Sequence, residues 1–342
     1  LGPIFWCLLA AALFGASTPA AKTLVGEMGA PLLAGLLYAG AALAVLPRVA
    51  TRSWANNPNR SNSLRLSGAV LFGGLLGPVL LLLGLNAAPA GAVSLWLTLE
   101  TVATAALARC FFREHLGALG WSAVGLVVLA SALLSSELHL GWAVVLVALA
   151  CLCWGLDNNF TSQIDAYTPE QITLVKGAAT ALVLIPTGLW QGGRGDLPQI
   201  GVALVIGGLG YGLSLVLYVA GAQQLGATRS QLIFSSSPLF GLVPAWLLLG
   251  EPVGWFHAAA VVLMALAIGL LQRDSLSHCH THHHRQLTHT HFHRHDDGHH
   301  DHDHDGVLLG PSVFGWHQHE HTHPEVTHRH PHRPDLHHRH EH

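Results

Sequence analysis

Phe111-Phe112-Arg113-Glu114-His115-Leu116-Gly117 closes one apolar stretch and opens the next. Leu248-Leu249-Gly250-Glu251-Pro252-Val253-Gly254 does the same near the end of the apolar region. Glu and Gly keep one offset, since 251 minus 114 and 254 minus 117 both give 137. Ala90, Leu95 and Ala108 match Ala227, Leu232 and Ala245 at that same offset. Further up the chain, Gly73-Gly74-Leu75 is paralleled by Gly207-Gly208-Leu209, and Phe14-Gly15 by Trp154-Gly155. The offsets drift by a few residues, as loop insertions would cause.

Between these marks the chain is dominated by Leu, Ala, Val and Gly up to about Gln272. One crossing of a bilayer core needs roughly 20 apolar residues. Spans of that length read at 4–22, 31–50, 66–86, 90–110, 117–136, 140–160, 170–190, 199–220, 228–249 and 253–272. Helices are the expected form, because lipid offers no water to satisfy an open strand edge. The expectation is an all-α membrane protein of ten transmembrane helices arranged as two inverted five-helix repeats, followed by a disordered His-rich tail. The repeats run over 1–137 and 138–273, and the tail over 274–342. An odd number of spans per half turns the second half upside down, an arrangement that places a substrate site near the midplane.

Orientation follows from the basic residues. Arg48, Arg52, Arg60 and Arg65 fill one connection, and Arg109 with Arg113 flank another on the same side. The positive-inside rule makes that side cytoplasmic. With an even number of spans both termini, and the tail, face the cytoplasm of a bacterial inner membrane. The first stretch lacks a basic leader and a small-residue cleavage site, so it reads as a span rather than a signal. The cysteines are scattered, and Cys7, Cys110, Cys151 and Cys153 lie in or beside spans as small hydrophobes. No disulfide framework emerges.

Charges inside the spans are the candidate chemistry. A carboxylate at mid-span costs roughly 2.5–3.5 kcal/mol on insertion scales, so Glu100 is expected to face a cavity or a partner. Asp157 lies near the cytoplasmic end of its span. Lys176 lies on the next span at a depth of roughly 9 Å, which makes a buried ion pair feasible. Asn158, Asn159, Tyr211, Ser214 and Gln231 add polar groups that either orient a ligand or hold helices together. Trp96 and Trp154 are candidates for a cavity wall or for packing. Gly73-x-x-x-Gly77 and Gly208-x-x-x-Gly212 favour close helix approach.

The tail changes composition abruptly. Of 27 histidines in the chain, only His115, His139 and His257 precede it, which leaves 24 after Arg273. They begin as His278-Cys279-His280-Thr281-His282 and resume at His289, His291, His293 and His295. His299, His300, His302 and His304 alternate with aspartates, and His317, His319, His321 and His323 form a further cluster before the run from His328 to His342. Few large apolar residues means no core, so disorder is expected. Alternating imidazoles suit labile binding of Zn, Ni, Cu or Co, weakening as pH falls through about 6.5 because the ligands must be neutral.

The two five-helix halves and the Glu-bearing span ends at Arg113-Glu114 and Gly250-Glu251 resemble the EamA family of the drug/metabolite transporter superfamily. So do Ser94-Leu95-Trp96-Leu97-Thr98-Leu99-Glu100, running on to Phe112-Arg113-Glu114-His115, and Cys153-Trp154-Gly155-Leu156-Asp157-Asn158-Asn159, which are similar to a bacterial subgroup whose members carry His-rich C-termini. The resemblance covers about residues 4–272. It implies an inner-membrane carrier that moves small metabolites outward. One departure is Glu100, which stands where the second half has Ser237-Pro238.

Two readings follow. The first is a secondary transporter exporting a small metabolite, with a tail that senses or buffers metal. The second is a Ni, Co or Zn exporter fed by the tail. A metal sensor that uses the bundle only as an anchor stands behind both. No nucleophile–base pair, His-Glu-x-x-His or phosphate loop points to an enzyme. No cofactor is required, and the partners implied are the lipid bilayer and a small-molecule or metal-ion cargo. No nucleic acid is implied, and a homodimer is left open.

Overall fold

The computed structural model describes most of residues 2–276 and four short segments of the tail. Residues 1, 52–53, 55–59, 89–92, 94–95, 98, 113–115, 135–140, 242–254, 277–278, 285–286, 294–316, 324–325 and 332–342 lie outside the described set. Arg113, Glu114, His115, Glu251 and Gly254 are therefore not described, nor are His278, His295, His299, His300, His302 and His304.

Helices make up the apolar region. They are α1 (Pro3–Met28), α2 (Ala30–Val49), α3 (Arg60–Ala87), α4 (Leu99–Phe111), α5 (Ala118–Leu134), α6 (Trp142–Thr161), α7 (Pro169–Trp190), α8 (Leu197–Leu225), α9 (Ala227–Phe234) and α10 (Trp255–Leu276). Among the described residues six of these, α1, α2, α3, α6, α7 and α8, are long and apolar enough to cross a membrane. Shorter apolar helical stretches run over Ala118–Ala130 and Ala258–Leu270.

Local sequence fixes the helix starts. Thr168 and Gln171 form a reciprocal capping box at the head of α7, and Asp196 with Gln199 does the same for α8. Pro169 follows the first cap directly and Pro198 stands one residue beyond the second, both in a first turn where a missing N–H is no loss.

Two departures from regular helix matter for the site. First, α3 and α8 each carry a π-helical segment, Ala69–Leu76 and Gly207–Leu213. Such wide turns recur at functional positions. Here each contains the paired glycines of the repeat. Helix α6 packs along the first segment, and α1 along the second. A Cβ at Gly73 would overlap the Asp157 carboxylate, and one at Gly210 would overlap the Ser17 side chain. In packing, Gly73 is thus matched by Gly210, three residues beyond the Gly207 that the Gly-Gly-Leu match suggests.

Second, the spans expected as continuous helices over 90–110 and 228–249 are interrupted. Helix α4 starts only at Leu99, after a turn at Leu97 in which the Glu100 N–H bonds the Leu97 carbonyl at 3.1 Å. Glu100 therefore stands in the first turn of a helix rather than midway along one. Helix α9 stops at Phe234, turns at 235–236, and resumes over 237–241. The cause is local. Ser235 and Ser236 donate their hydroxyls back to Leu232 and Ile233 carbonyls at 2.6 and 2.8 Å. Pro238 has no N–H to bond back to the Phe234 carbonyl, so the helical ladder cannot run through the turn.

In the tail four short segments pair as strands. Strand β1 (Cys279–His284) pairs antiparallel with β4 (Val326–Pro331), and β2 (Leu287–His293) with β3 (His317–His323). Alternation of His with Thr and other residues, clearest in β2 and β3, has the two-residue period of a strand.

The Gly73 contact is testable. Gly73→Val should destabilise the protein by about 1–3 kcal/mol through overpacking against Asp157. Gly125→Ala, inside α5 where an added carbon meets nothing, should hold stability or raise it by up to about 1 kcal/mol. Thermal unfolding in detergent, followed by size-exclusion chromatography, would separate the two.

Candidate functional site

The interrupted helices and the second π-helical segment, through Tyr211, converge on one small cavity. Its polar wall is Glu100 from α4, Asp157 and Asn158 from α6, Lys176 from α7 and Gln231 from α9. Its aromatic wall is Phe14 from α1, Tyr38 from α2, Trp154 from α6, Tyr211 and Tyr218 from α8 and Phe234 from α9. The space is about 40 Å³, room for a water or a few at roughly 10–15 Å³ each. A metabolite does not fit this closed form.

Asp157 and Lys176 form an ion pair across α6 and α7, at 4 % and 2 % exposure, so water screens neither. The other carboxylate oxygen, Oδ1, has no hydrogen-bond partner among the described residues. The pair sits directly on Gly73. The Gly73 carbonyl, turned inward by the wide turn, accepts from the Tyr38 hydroxyl at 2.7 Å and from Trp154 Nε1 at 3.2 Å. One backbone carbonyl thereby ties α2, α3 and α6 together.

Asn158 organises the other half of the polar wall. Its amide nitrogen lies 2.8 Å from Glu100 Oε1, 3.1 Å from Thr104 Oγ1 and 3.2 Å from Gln231 Oε1. An amide has two protons for these three acceptors, so the contacts compete. Tyr218 donates to the same Gln231 oxygen at 3.1 Å. A hydrogen-bonded line thus runs from α4 through α6 to α9 and α8, with Glu100 at one end. Its carboxylate also sits at a helix N-terminus, where the dipole favours negative charge.

The rings close the remaining sides. Phe14 meets Trp154, Tyr211 and Phe234 at centroid separations of 6.4, 5.6 and 5.3 Å. Tyr38 meets Tyr211 at 5.4 Å, and Tyr218 meets Phe234 at 5.0 Å. Edge and tilted contacts of this kind pack well while leaving faces toward the cavity.

Of the residues singled out in the sequence, Glu100, Asp157, Asn158, Lys176, Tyr211, Gln231 and Trp154 come together here. Asn159 does not. It faces α4 and donates to the Thr104 and Gly155 carbonyls at 3.1 and 2.8 Å, a helix-to-helix tie. Ser214 likewise ties α8 to the Ala10 carbonyl of α1 at 2.8 Å. Trp96 is buried away from the cavity, its carbonyl facing Cys151 Sγ at 3.5 Å. The sequence reading missed Tyr38, Tyr218, Thr104, Phe14 and Phe234. Phe14 had a signal, its repeat match to Trp154. It also missed Glu170 and Arg229, both buried at the heads of α7 and α9. Among the described residues no three His, Cys, Asp or Glu side chains gather as a metal site.

An apolar helical bundle around a small, closed, polar–aromatic cavity defines a multi-pass membrane protein with a central site. Comparison with known proteins gives it a family. The EamA-like transporter family model matches residues 1–136 and again 141–273, and the chain belongs to that family. A protein of Methanothermobacter thermautotrophicus named an uncharacterized transporter is 25 % identical over 223 residues. That alignment takes in 62 % of this chain and 65 % of the relative's own length. A crystal structure with 14 % identity superposes at a TM-score of 0.65 over 79 % of this chain and 98 % of the other, a likeness of fold.

The ion pair yields a clear expectation. Asp157→Asn or Lys176→Met alone leaves one buried charge unpaired and should cost about 3–5 kcal/mol. Removing both should cost well under the sum. A double-mutant cycle on thermal stability checks this, and additive effects would contradict the pairing.

Proposed function

We propose that this protein is a secondary transporter that exports a small metabolite by alternating access, and that its His-rich tail binds metal in a regulatory or buffering role. The observation that carries the reading is the closed cavity where α4 and α9 break. Broken helices at the centre of a bundle are how carriers present polar groups to cargo at mid-depth. The halves 1–137 and 138–273, inverted relative to each other, rock about this cavity. Residues Glu100, Asp157, Asn158, Lys176, Tyr211 and Gln231 line the pathway, and Asn159 and Trp96 support it from behind.

Glu100 is the coupling group of this reading. Its carboxylate is held by one amide that also serves the opposite half, so a change in its charge is felt across the cavity. Asp157 and Lys176 neutralise each other and leave Glu100 as the remaining carboxyl group of the wall. When ionised it stands among six aromatic rings, a setting that favours a cargo with a cationic or amine end. Outward movement follows from the family likeness. The arginine-rich connections assign the termini to the cytoplasm, which sets the tail where cellular metal is buffered.

Cargo identification comes first, from mass spectrometry of medium and cells with and without the chain. With that cargo in proteoliposomes, Glu100→Gln should slow transport roughly ten- to a hundredfold, the weight of a hydrogen bond to a charged group. It should also flatten the dependence of rate on pH. A wild-type rate and profile would remove Glu100 from coupling.

The metal-export reading is separated by cellular Ni, Co, Zn and Cu content. Cells making the full chain and cells making a chain ended at Asp274 should differ, with only the full chain retaining metal. If both forms lower the same metal, the bundle itself moves that ion.

A further inference from the structure

Outside the cavity, two polar contacts tie the halves together at opposite faces of the bundle. At the face where α3 begins, Asn62 Nδ2 donates to Asp165 Oδ1 at 2.7 Å, and the Asp165 N–H donates back to Asn62 Oδ1 at 3.3 Å. At the other face, where α8 begins, Gln199 Nε2 donates to Glu27, and Gln199 Oε1 accepts from the Asp196 N–H at 3.0 Å. Both contacts use an amide in the first turns of a π-bearing helix. In both, the amide's nitrogen meets a carboxylate from the other half of the chain, while its oxygen takes a backbone N–H.

The correspondence extends to spacing. Residue 199 minus 62 gives 137, and 165 minus 27 gives 138. The first is the offset that relates Glu114 to Glu251 in the repeat. Helix α2 lies between Glu27 and Asn62 along the chain, and its 20 residues span about 30 Å, so the contacts lie on opposite sides of the bundle. They sit beyond the two ends of the closed cavity. With both formed, the cavity between them is shut to little more than water.

We infer that Asn62–Asp165 and Glu27–Gln199 are a matched pair of latches, each holding one face of the carrier closed, so that release of one admits solvent to the cavity from that face alone. The inference rests on the alternating-access reading and adds the residues that position the halves at each face. Neighbouring groups make the two latches unequal. At the first face Arg65 donates to the Gln163 carbonyl at 2.9 Å and Gln223 to the Ile164 carbonyl at 2.8 Å, both on the segment that carries Asp165. At the second, Lys22 holds the end of α3 through the Leu85 and Ala88 carbonyls, and Glu27 is exposed. The first latch is therefore the stronger.

The experiment is site-directed thiol labelling. Cys7, Cys110, Cys151, Cys153 and Cys279 are replaced, and a reporter is placed in the cavity wall as Leu215→Cys. Full-length protein is labelled with a membrane-impermeant maleimide in right-side-out and in inverted vesicles. Without latch changes, labelling should be slow from both faces. Asn62→Ala or Asp165→Ala should raise the rate from the α3-start face roughly tenfold. Glu27→Ala or Gln199→Ala should raise it from the opposite face by roughly threefold, as suits an exposed contact. The exchange Asn62→Asp with Asp165→Asn should restore slow labelling. Rates within about twofold of the parent in all four single variants overturn the latches. So does a rise equal from both faces, which marks the pairs as merely structural. Neither result touches the carrier reading, whose own failure is that cells with and without the chain show the same metabolites in medium and cytoplasm and that proteoliposomes holding the wild-type chain move none of them.

Discussion

A carboxylate and an ammonium carried into hydrocarbon have to meet inside the protein, and much of this bundle is arranged around that meeting. Asp157 and Lys176 find each other between α6 and α7, and their contact sits on α3. Room for it exists only because position 73 has no side chain and because α3 widens into a π-helical segment there. The wide turn frees the Gly73 carbonyl, which Tyr38 and Trp154 then satisfy. The spacing of α2, α3, α6 and α7 is thus set by one buried charge pair and its shell. Such a pair adds little net stability, since desolvation offsets most of the attraction. What it contributes is a single allowed register among helices whose apolar faces would otherwise slide.

Around this fixed corner the rest of the cavity is adjustable. Asn158 has fewer protons than acceptors, and its choice among Glu100, Thr104 and Gln231 links three helices without locking them. Two of those helices, α4 and α9, belong to spans that break beside the cavity. A break removes backbone hydrogen bonds that would resist bending, and the serines at 235 and 236 take them over locally. A rigid corner facing a jointed one is the arrangement a moving binding site needs.

The sequence made the apolar spans, the repeated Gly-Gly pairs and the Asp157–Lys176 pairing legible, because each depends on composition, spacing or depth along a helix. It hid the breaks. A span that is apolar all round keeps the same hydropathy whether its backbone is α-helical, π-helical or turned, and Leu97, Leu99 and Phe234 give no warning. It hid the aromatic wall for a related reason. Tyr38, Tyr218 and Phe234 sit in stretches without amphipathic periodicity, so nothing tells an inward ring from a lipid-facing one. Asn159 shows the converse. It follows Asp157 and Asn158 directly, yet a 100° step per residue turns it off the cavity and against the α4 backbone, where it bonds carbonyls rather than the cavity wall.

The two halves are alike in outline and unequal in chemistry. Where α6 presents Asp157 to Gly73, α1 presents Ser17 to Gly210, and Ser17 spends its hydroxyl on the Phe14 carbonyl of its own helix at 2.7 Å. Where α7 presents Lys176, the residue 137 positions earlier is Ala39. Separating α1 from α8 therefore breaks van der Waals contacts and the Ser214 hydrogen bond to Ala10. Separating α6 from α3 would drag a buried ion pair off its seat and strip the shell of the Gly73 carbonyl. The energetic asymmetry therefore falls on one side of the cavity, where the seat of the ion pair on α3 resists separation more than the α1–α8 contact does.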